Sequence, residues 1–317
     1  MASPAVSTRD HLILQGIVLV WGITSVLGKM ISLKVQVLVT WRTGIAALAL
    51  GLWLLMARRR TGFDLWVRRA LLNGCLIGLH WFLFFLAARL GNISVAITGA
   101  ATSALWVSLL EPLVIRDRRL HLRECVLALA VTGGVALVAG SDDVPMACLL
   151  TGILAAAVAA LFSIFNARIV QHLPPVTMSF YEMLSATLFC AVLSVATAGP
   201  LSAETWLPAV TDWVPLLTLS LLCTVFAFSV CVWLQKRVPA FTIGLAANIE
   251  PVYGMLLATA VFGAKEVMGV RFYTGAAIII GCVVFHTLSG RRRRTMVFSG
   301  PPESLEAAES SPPSSQC

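Results

Sequence analysis

The chain has 317 residues, of which 58% are hydrophobic and 12% charged, with a mean hydropathy of +0.89 and a formal net charge of +8. Soluble domains carry about 25% charged residues, so a water-soluble globular fold is excluded, whereas a bilayer core of about 30 Å takes up about 20 apolar residues per spanning helix. The positive charge does not indicate a nucleic-acid surface, because the basic residues sit in short clusters between apolar runs, which is the pattern of membrane topology.

In chain order the apolar runs predict ten transmembrane helices, at 12–31, 35–57, 70–90, 92–115, 122–140, 146–170, 175–198, 213–235, 240–263 and 269–289. The first run follows a short polar start (1–11) and lacks a small-residue cleavage site, so it reads as a span rather than a signal peptide. The second and third runs contain Arg42 and His80. Chain breakers separate later runs: Ser141-Asp142-Asp143-Val144-Pro145, Pro174-Pro175, and Gly199-Pro200 with Pro208. With the N-terminus cytoplasmic, 17 of the 23 Lys and Arg residues fall on the cytoplasmic side and four (Lys34, Arg89, Lys265, Arg271) on the other. Losing or gaining one helix would misplace several clusters, so both ends are expected in the cytoplasm. Residues 290–317, basic and then rich in Ser, Pro and Glu, are expected to be a disordered tail. Seven of the eight cysteines lie in or beside apolar runs without a CxxC pair, and read as small buried hydrophobes.

The two halves resemble each other in order. Gly99-Ala100-Ala101-Thr102-Ser103-Ala104 matches Gly244-Leu245-Ala246-Ala247-Asn248-Ile249, Thr132-Gly133 matches Thr274-Gly275, and Gln15-Gly16-Ile17 matches Thr151-Gly152-Ile153. The repeats are expected at 12–140 and 146–289. An odd number of spans per repeat turns the second copy upside down, and inverted repeats around a central site are a common transporter design.

Ala247-Asn248-Ile249-Glu250-Pro251-Val252-Tyr253-Gly254, followed by Phe262-Gly263-Ala264-Lys265-Glu266, resembles the second repeat of EamA-type permeases of the drug/metabolite transporter superfamily. Trp21-Gly22 with Lys29, Arg42, and the run Thr274-Gly275-Ala276-Ala277-Ile278-Ile279 fit the same pattern, and the resemblance spans about residues 12–289. Two departures are a tryptophan, Trp106, where the first repeat usually has its mid-helix proline, and a sixth span without its frequent tryptophan. The resemblance implies a central cavity lined by the third, fourth, eighth and ninth spans, and export of amino acids or related metabolites from a bacterial cytoplasm.

Ionisable groups inside spans cost about 2.5–3.5 kcal/mol each on insertion scales and usually face a cavity or a partner. Glu250 lies about ten residues into the ninth span. Pro251 beside it removes an amide and displaces the Ala247 carbonyl, so a kink would gather that carbonyl, the Asn248 side chain and a carboxylate within one turn. Such a cluster suits an ammonium group, a hydroxyl or a proton, or else a structural carboxylate. Glu182 and Arg42 stand about two turns into the seventh and second spans, from opposite membrane faces. Each is a candidate gate of its half or a structural pair. His80 lines a cavity or packs as a satisfied histidine. Trp106 and Tyr253 are candidate cavity walls, Lys29 is close enough to an interface to snorkel, and Glu111 is expected to meet the basic loop that follows it.

The expected function is a carrier of a small-molecule substrate working by alternating access in the lipid bilayer, as a monomer or homodimer. Proton coupling through Glu250 or Glu182 and uncoupled facilitation both fit the sequence. The five scattered histidines make no metal set, and no cofactor motif is present. A membrane-embedded enzyme lacks a catalytic constellation, and a sensor or assembly factor would have to act without an appended soluble domain.

Overall fold

The structure, a computed structural model, describes residues 8–58, 62–114, 122–141, 144–198, 203–236, 238, 243, 246, 250–282 and 285. Among them there is no β-strand. The helices are α1 (Thr8–Met30), α2 (Val35–Met56), α3 (Leu65–Leu90), α4 (Ile93–Ala100), α5 (Ser103–Val114), α6 (Leu122–Ala139), α7 (Met146–Ile169) and α8 (Pro175–Ala198), followed by a helical turn at Ala203–Trp206. Then come α9 (Val210–Leu234), α10 (Glu250–Phe262) and α11 (Val270–Cys282). Six of these, α1, α2, α3, α7, α8 and α9, are long and apolar enough to cross a membrane. The predicted tail at 290–317 lies outside the described residues.

Local chemistry accounts for several boundaries. The Asp64 carboxylate accepts the backbone N–H of Trp66 (3.0 Å) and Val67 (2.9 Å), so α3 starts at Leu65, five residues before the predicted edge. Pro175 occupies the first position of α8, where its missing N–H costs nothing. Gly263 closes α10 with a φ of +64°, a backbone geometry that favours glycine.

Two elements depart from the expected uniform spans. The fourth, predicted as one helix over 92–115, is two helices joined at Ala101–Thr102. There the Thr102 amide turns back to the Gly99 carbonyl (3.2 Å), and the Thr102 hydroxyl donates to the same oxygen at 2.8 Å. This local competition for a carbonyl interrupts the regular ladder. The eighth changes character midway. Thr218–Phe226 of α9 is π-helical, with the Ala227 amide reaching the Leu222 carbonyl five residues back and the Thr224 hydroxyl donating to the Leu219 carbonyl at 2.9 Å. A π-segment re-aims the side chains it carries and often marks a functional site.

The helices pack as interlocking pairs. α3 lies against α7 and α8, and α2 against α8 and α9; α1 lies against α9 and α10, and α4 against α7 and α10. Small residues set the closest crossings. A Cβ on Gly99 of α4 would come within 2.9 Å of the Leu149 carbonyl, and one on Gly152 of α7 within 2.7 Å of the Ala96 carbonyl. Gly134 of α6 and Gly275 of α11 meet in the same reciprocal way, at 3.0 and 2.7 Å from each other's carbonyls. The outward faces carry exposed aliphatics such as Leu48, Leu72, Leu150, Leu188 and Val192, an apolar belt suited to lipid. Cys148, Cys190, Cys223 and Cys231 are buried and free, as small hydrophobes are.

At Gly74 of α3 an added Cβ would collide with the backbone of α8, meeting the Glu182 carbonyl oxygen and lying 2.8 Å from the Glu182 Cα. Backbone cannot swing aside, so Gly74→Ala should lower stability by about 1–3 kcal/mol. Gly133→Ala, with nothing within 4 Å of the new atom, should not lower the melting temperature in detergent, since alanine is the better helix former.

Candidate functional site

Among the described residues Arg42 is the largest fully enclosed side chain, 2% exposed. Three helices hold it. From α2 its Nε donates to the Thr224 hydroxyl of the π-segment at 2.8 Å. Its guanidinium lies 3.9 Å from the Trp81 ring centroid and 5.5 Å from that of Phe85, both on α3, a cation–π arrangement. Thr224 takes this bond because its own proton is committed to the Leu219 carbonyl. Cys223 beside it donates to the Val20 carbonyl of α1 at 3.6 Å, and Phe228 packs edge-on against Trp81 at 6.0 Å. Arg42 Nη1 is buried and has no hydrogen-bond partner.

Glu182 occupies the matching register of α8. It stands seven residues beyond Pro175, and Arg42 stands seven beyond Val35. The Glu182 side chain is fully buried, and its Oε1 accepts Asn73 Nδ2 of α3 at 3.0 Å. The same amide reaches Asn166 Oδ1 of α7 at 2.5 Å, while Glu182 Oε2 and Asn73 Oδ1 find no partner. Arg42 and Glu182 therefore anchor two separate polar centres rather than one ion pair.

The remaining sequence candidates scatter. Glu250 opens the described part of α10, half-buried and close enough to Arg42 for their charges to act on one another, without forming an ion pair. Pro251 follows it within the helix; Asn248 and the Ala247 carbonyl lie outside the described residues, and with them the predicted kink cluster. Tyr253 lies where α10 crosses α1, its Cβ 2.8 Å from where a Gly22 Cβ would be. His80 Nδ1 bonds the Ala155 carbonyl of α7 at 2.9 Å, between Phe84 and Phe162. Trp106 on α5 is half-buried, and its buried indole N–H has no acceptor. Among the described residues no three of His, Cys, Asp and Glu gather as a metal set.

The family model of EamA-like transporters matches the sequence twice, at residues 11–140 and 146–288. The chain belongs to the EamA-like transporter family. A crystal structure of a protein sharing 19% identity superposes with a TM-score of 0.63 over 91% of this chain and 99% of its own, a likeness of fold alone. No curated protein sequence matches the chain significantly.

One end of this EamA-like transporter is held by polar contacts, two of them across its matched segments, whose pairing sequence patterns did not indicate. Glu266, fully buried, pairs with Lys29 at 2.7 Å and accepts the Ser94 amide at 3.2 Å. Asp212 accepts the Ser32 amide (2.9 Å) and hydroxyl (2.6 Å). Arg89 caps the end of α1 through the Gly28, Ile31 and Leu33 carbonyls. Lys29 thus reaches inward to a buried carboxylate instead of snorkelling, and Nζ also lies 5.4 Å over Phe262. The only signal for Glu266 was its place after the Gly263-Ala264-Lys265 stretch; Asn73 and Thr224 were legible only as polar residues in apolar spans.

Removing one partner of a buried pair strands the other. Glu266→Ala should lower detergent stability by about 1–3 kcal/mol, and the added Lys29→Ala should cost less than its own single-variant effect. Thermal unfolding of the four proteins as a double-mutant cycle checks this; strictly additive losses would show that the pair contributes nothing.

Proposed function

We propose that this chain carries small polar metabolites across a bacterial cytoplasmic membrane, exporting amino acids or related compounds, by alternating access of two inverted five-helix repeats with both termini cytoplasmic. The observation that carries the reading is the exchange of helix contacts. In this scheme α4 and α5 together form the fourth helix, so that α1, α2, α3, α4–α5 and α6 correspond to α7, α8, α9, α10 and α11. Under that exchange α1 on α10 becomes α7 on α4, α1 on α9 becomes α7 on α3, and α2 on α9 becomes α8 on α3, all of which occur. The pairs α2–α8, α4–α10 and α6–α11 map onto themselves, as contacts on a pseudo-twofold axis must. The shared register of Arg42 and Glu182 follows the same relation.

A pseudo-symmetric pair of halves can trade conformations, so a site at the centre opens to one side and then the other. The Lys29–Glu266, Ser32–Asp212 and Arg89 ties lie at the end where Lys34, Lys265 and Arg271 are found, the non-cytoplasmic side under the positive-inside rule. In the proposed cycle these ties hold the outer end together and part when it opens. Both halves lie in one chain, so a monomer can complete the cycle, and a homodimer would be two such units. A proton can couple through Glu250 or Glu182, the two carboxylates held among the central helices.

The full-length protein reconstituted in liposomes tests this. A preloaded panel of amino acids and related metabolites should leave protein-containing vesicles faster than empty ones, with released solutes read by mass spectrometry. Glu250→Gln should keep downhill flux and lose the response to an imposed proton gradient. Flux equal to that of empty vesicles would contradict the transporter reading, and a wild-type gradient response in the variant would remove Glu250 from coupling.

A further inference from the structure

We propose that Arg42 is the carboxylate-binding residue for the carried solute, taking its anionic group on the free Nη1 edge of the guanidinium; this rests on the transporter reading above. A guanidinium offers five N–H donors in a planar fork and stays charged in proteins. Here one donor is used by Thr224 and one face is covered by Trp81, while Nη1 is buried with nothing to bond. Among the described residues no carboxylate stands in ion-pair contact with it.

The molecule itself shows how a structural arginine is satisfied. Arg89, in the tie at the α1 end, is closed by three backbone carbonyls. Arg42 is more deeply enclosed and, among the described residues, bonds a single neutral hydroxyl. A buried charge left incomplete is costly, and a planar, two-oxygen anion completes it with charge-assisted hydrogen bonds.

Glu250 gives the site its second half. On α10 it is half-buried and near enough to Arg42 for the two groups to influence one another, yet they do not pair. An acidic and a basic side chain that share the interior without pairing match a solute that carries both signs. A carboxylate on Arg42 with an ammonium toward Glu250 is the arrangement of a free amino acid. Trp81, which stacks under the guanidinium and meets Phe228 edge-on, supplies an apolar wall beside the bound carboxylate.

The test uses the full chain in liposomes with three pools: L-amino acids, the same compounds as primary amides, and the amines left after removal of the carboxyl group. Wild type should move the acids at least about tenfold faster than either analogue pool, the scale of a lost charged hydrogen bond. Arg42→Gln should abolish that preference by slowing the acids alone, and Arg42→Lys should restore part of it, with melting temperatures followed in parallel. An excess of inorganic phosphate that suppressed the acids as strongly as competing amino acids do would show that the site takes any oxyanion, and would overturn the carboxylate assignment. Equal transport of all three pools by wild type, or equal slowing of all three in both variants, would overturn the proposal while leaving the transporter reading intact. Movement of no pool would overturn both.

Discussion

A guanidinium enclosed among apolar helices has no bulk water to complete its hydrogen bonds, so every neighbour of Arg42 is part of the answer to one constraint. The constraint reaches into secondary structure. Thr224 meets Arg42 Nε from a π-helical stretch in which its own proton is held by a carbonyl five residues back. It reaches into composition as well, since an aromatic pair on α3 covers the cation where a carboxylate would neutralise it. What is left over is an edge of the group with nothing to bond, the edge on which we propose that the carried molecule binds.

The rest of the architecture joins the helices by two kinds of contact. Gly99 with Gly152 and Gly134 with Gly275 bring helix backbones together without interlocking large side chains, and van der Waals contact of this kind drives helix association in lipid. Polar ties are instead concentrated near the helix ends: Lys29 with Glu266 and Ser32 with Asp212 at one end, Asn73 with Glu182 and Asn166 toward the other. Under the proposed alternating access, bonds near the helix ends would break and re-form while the glycine crossings serve as fulcrums.

The sequence was most readable where physics is local. Runs of apolar residues located α2 and α8 to within a residue at their ends, because helix formation in a bilayer depends on little beyond length and hydropathy. The family was legible from Glu250-Pro251 and the glycine that closes α10. The break at Ala101–Thr102 was hidden, since a threonine turning its hydroxyl onto its own backbone looks like any other small polar residue in a Gly- and Ala-rich stretch. The π-segment of α9 was hidden for a similar reason. The partners of the charged groups were out of reach altogether: Arg42 and Thr224 are 182 residues apart, and Lys29 and Glu266 are 237 apart. Their pairing exists only once the halves have folded against each other. Lys29 shows the consequence, as proximity to an interface implied snorkelling while the folded chain supplies a buried carboxylate.

The central claim is that the two ends of the bundle open alternately around Arg42. Paired spin labels measure it most directly, one pair at Met30 and Val267 and another at Met56 and Gln171, in a full-length protein whose native cysteines have been replaced. On addition of amino acids the account predicts that the two distance distributions shift in opposite directions, the Met30–Val267 pair gaining a longer population as the Met56–Gln171 pair loses one. Distances that stay fixed, or that lengthen together at both ends, would contradict it.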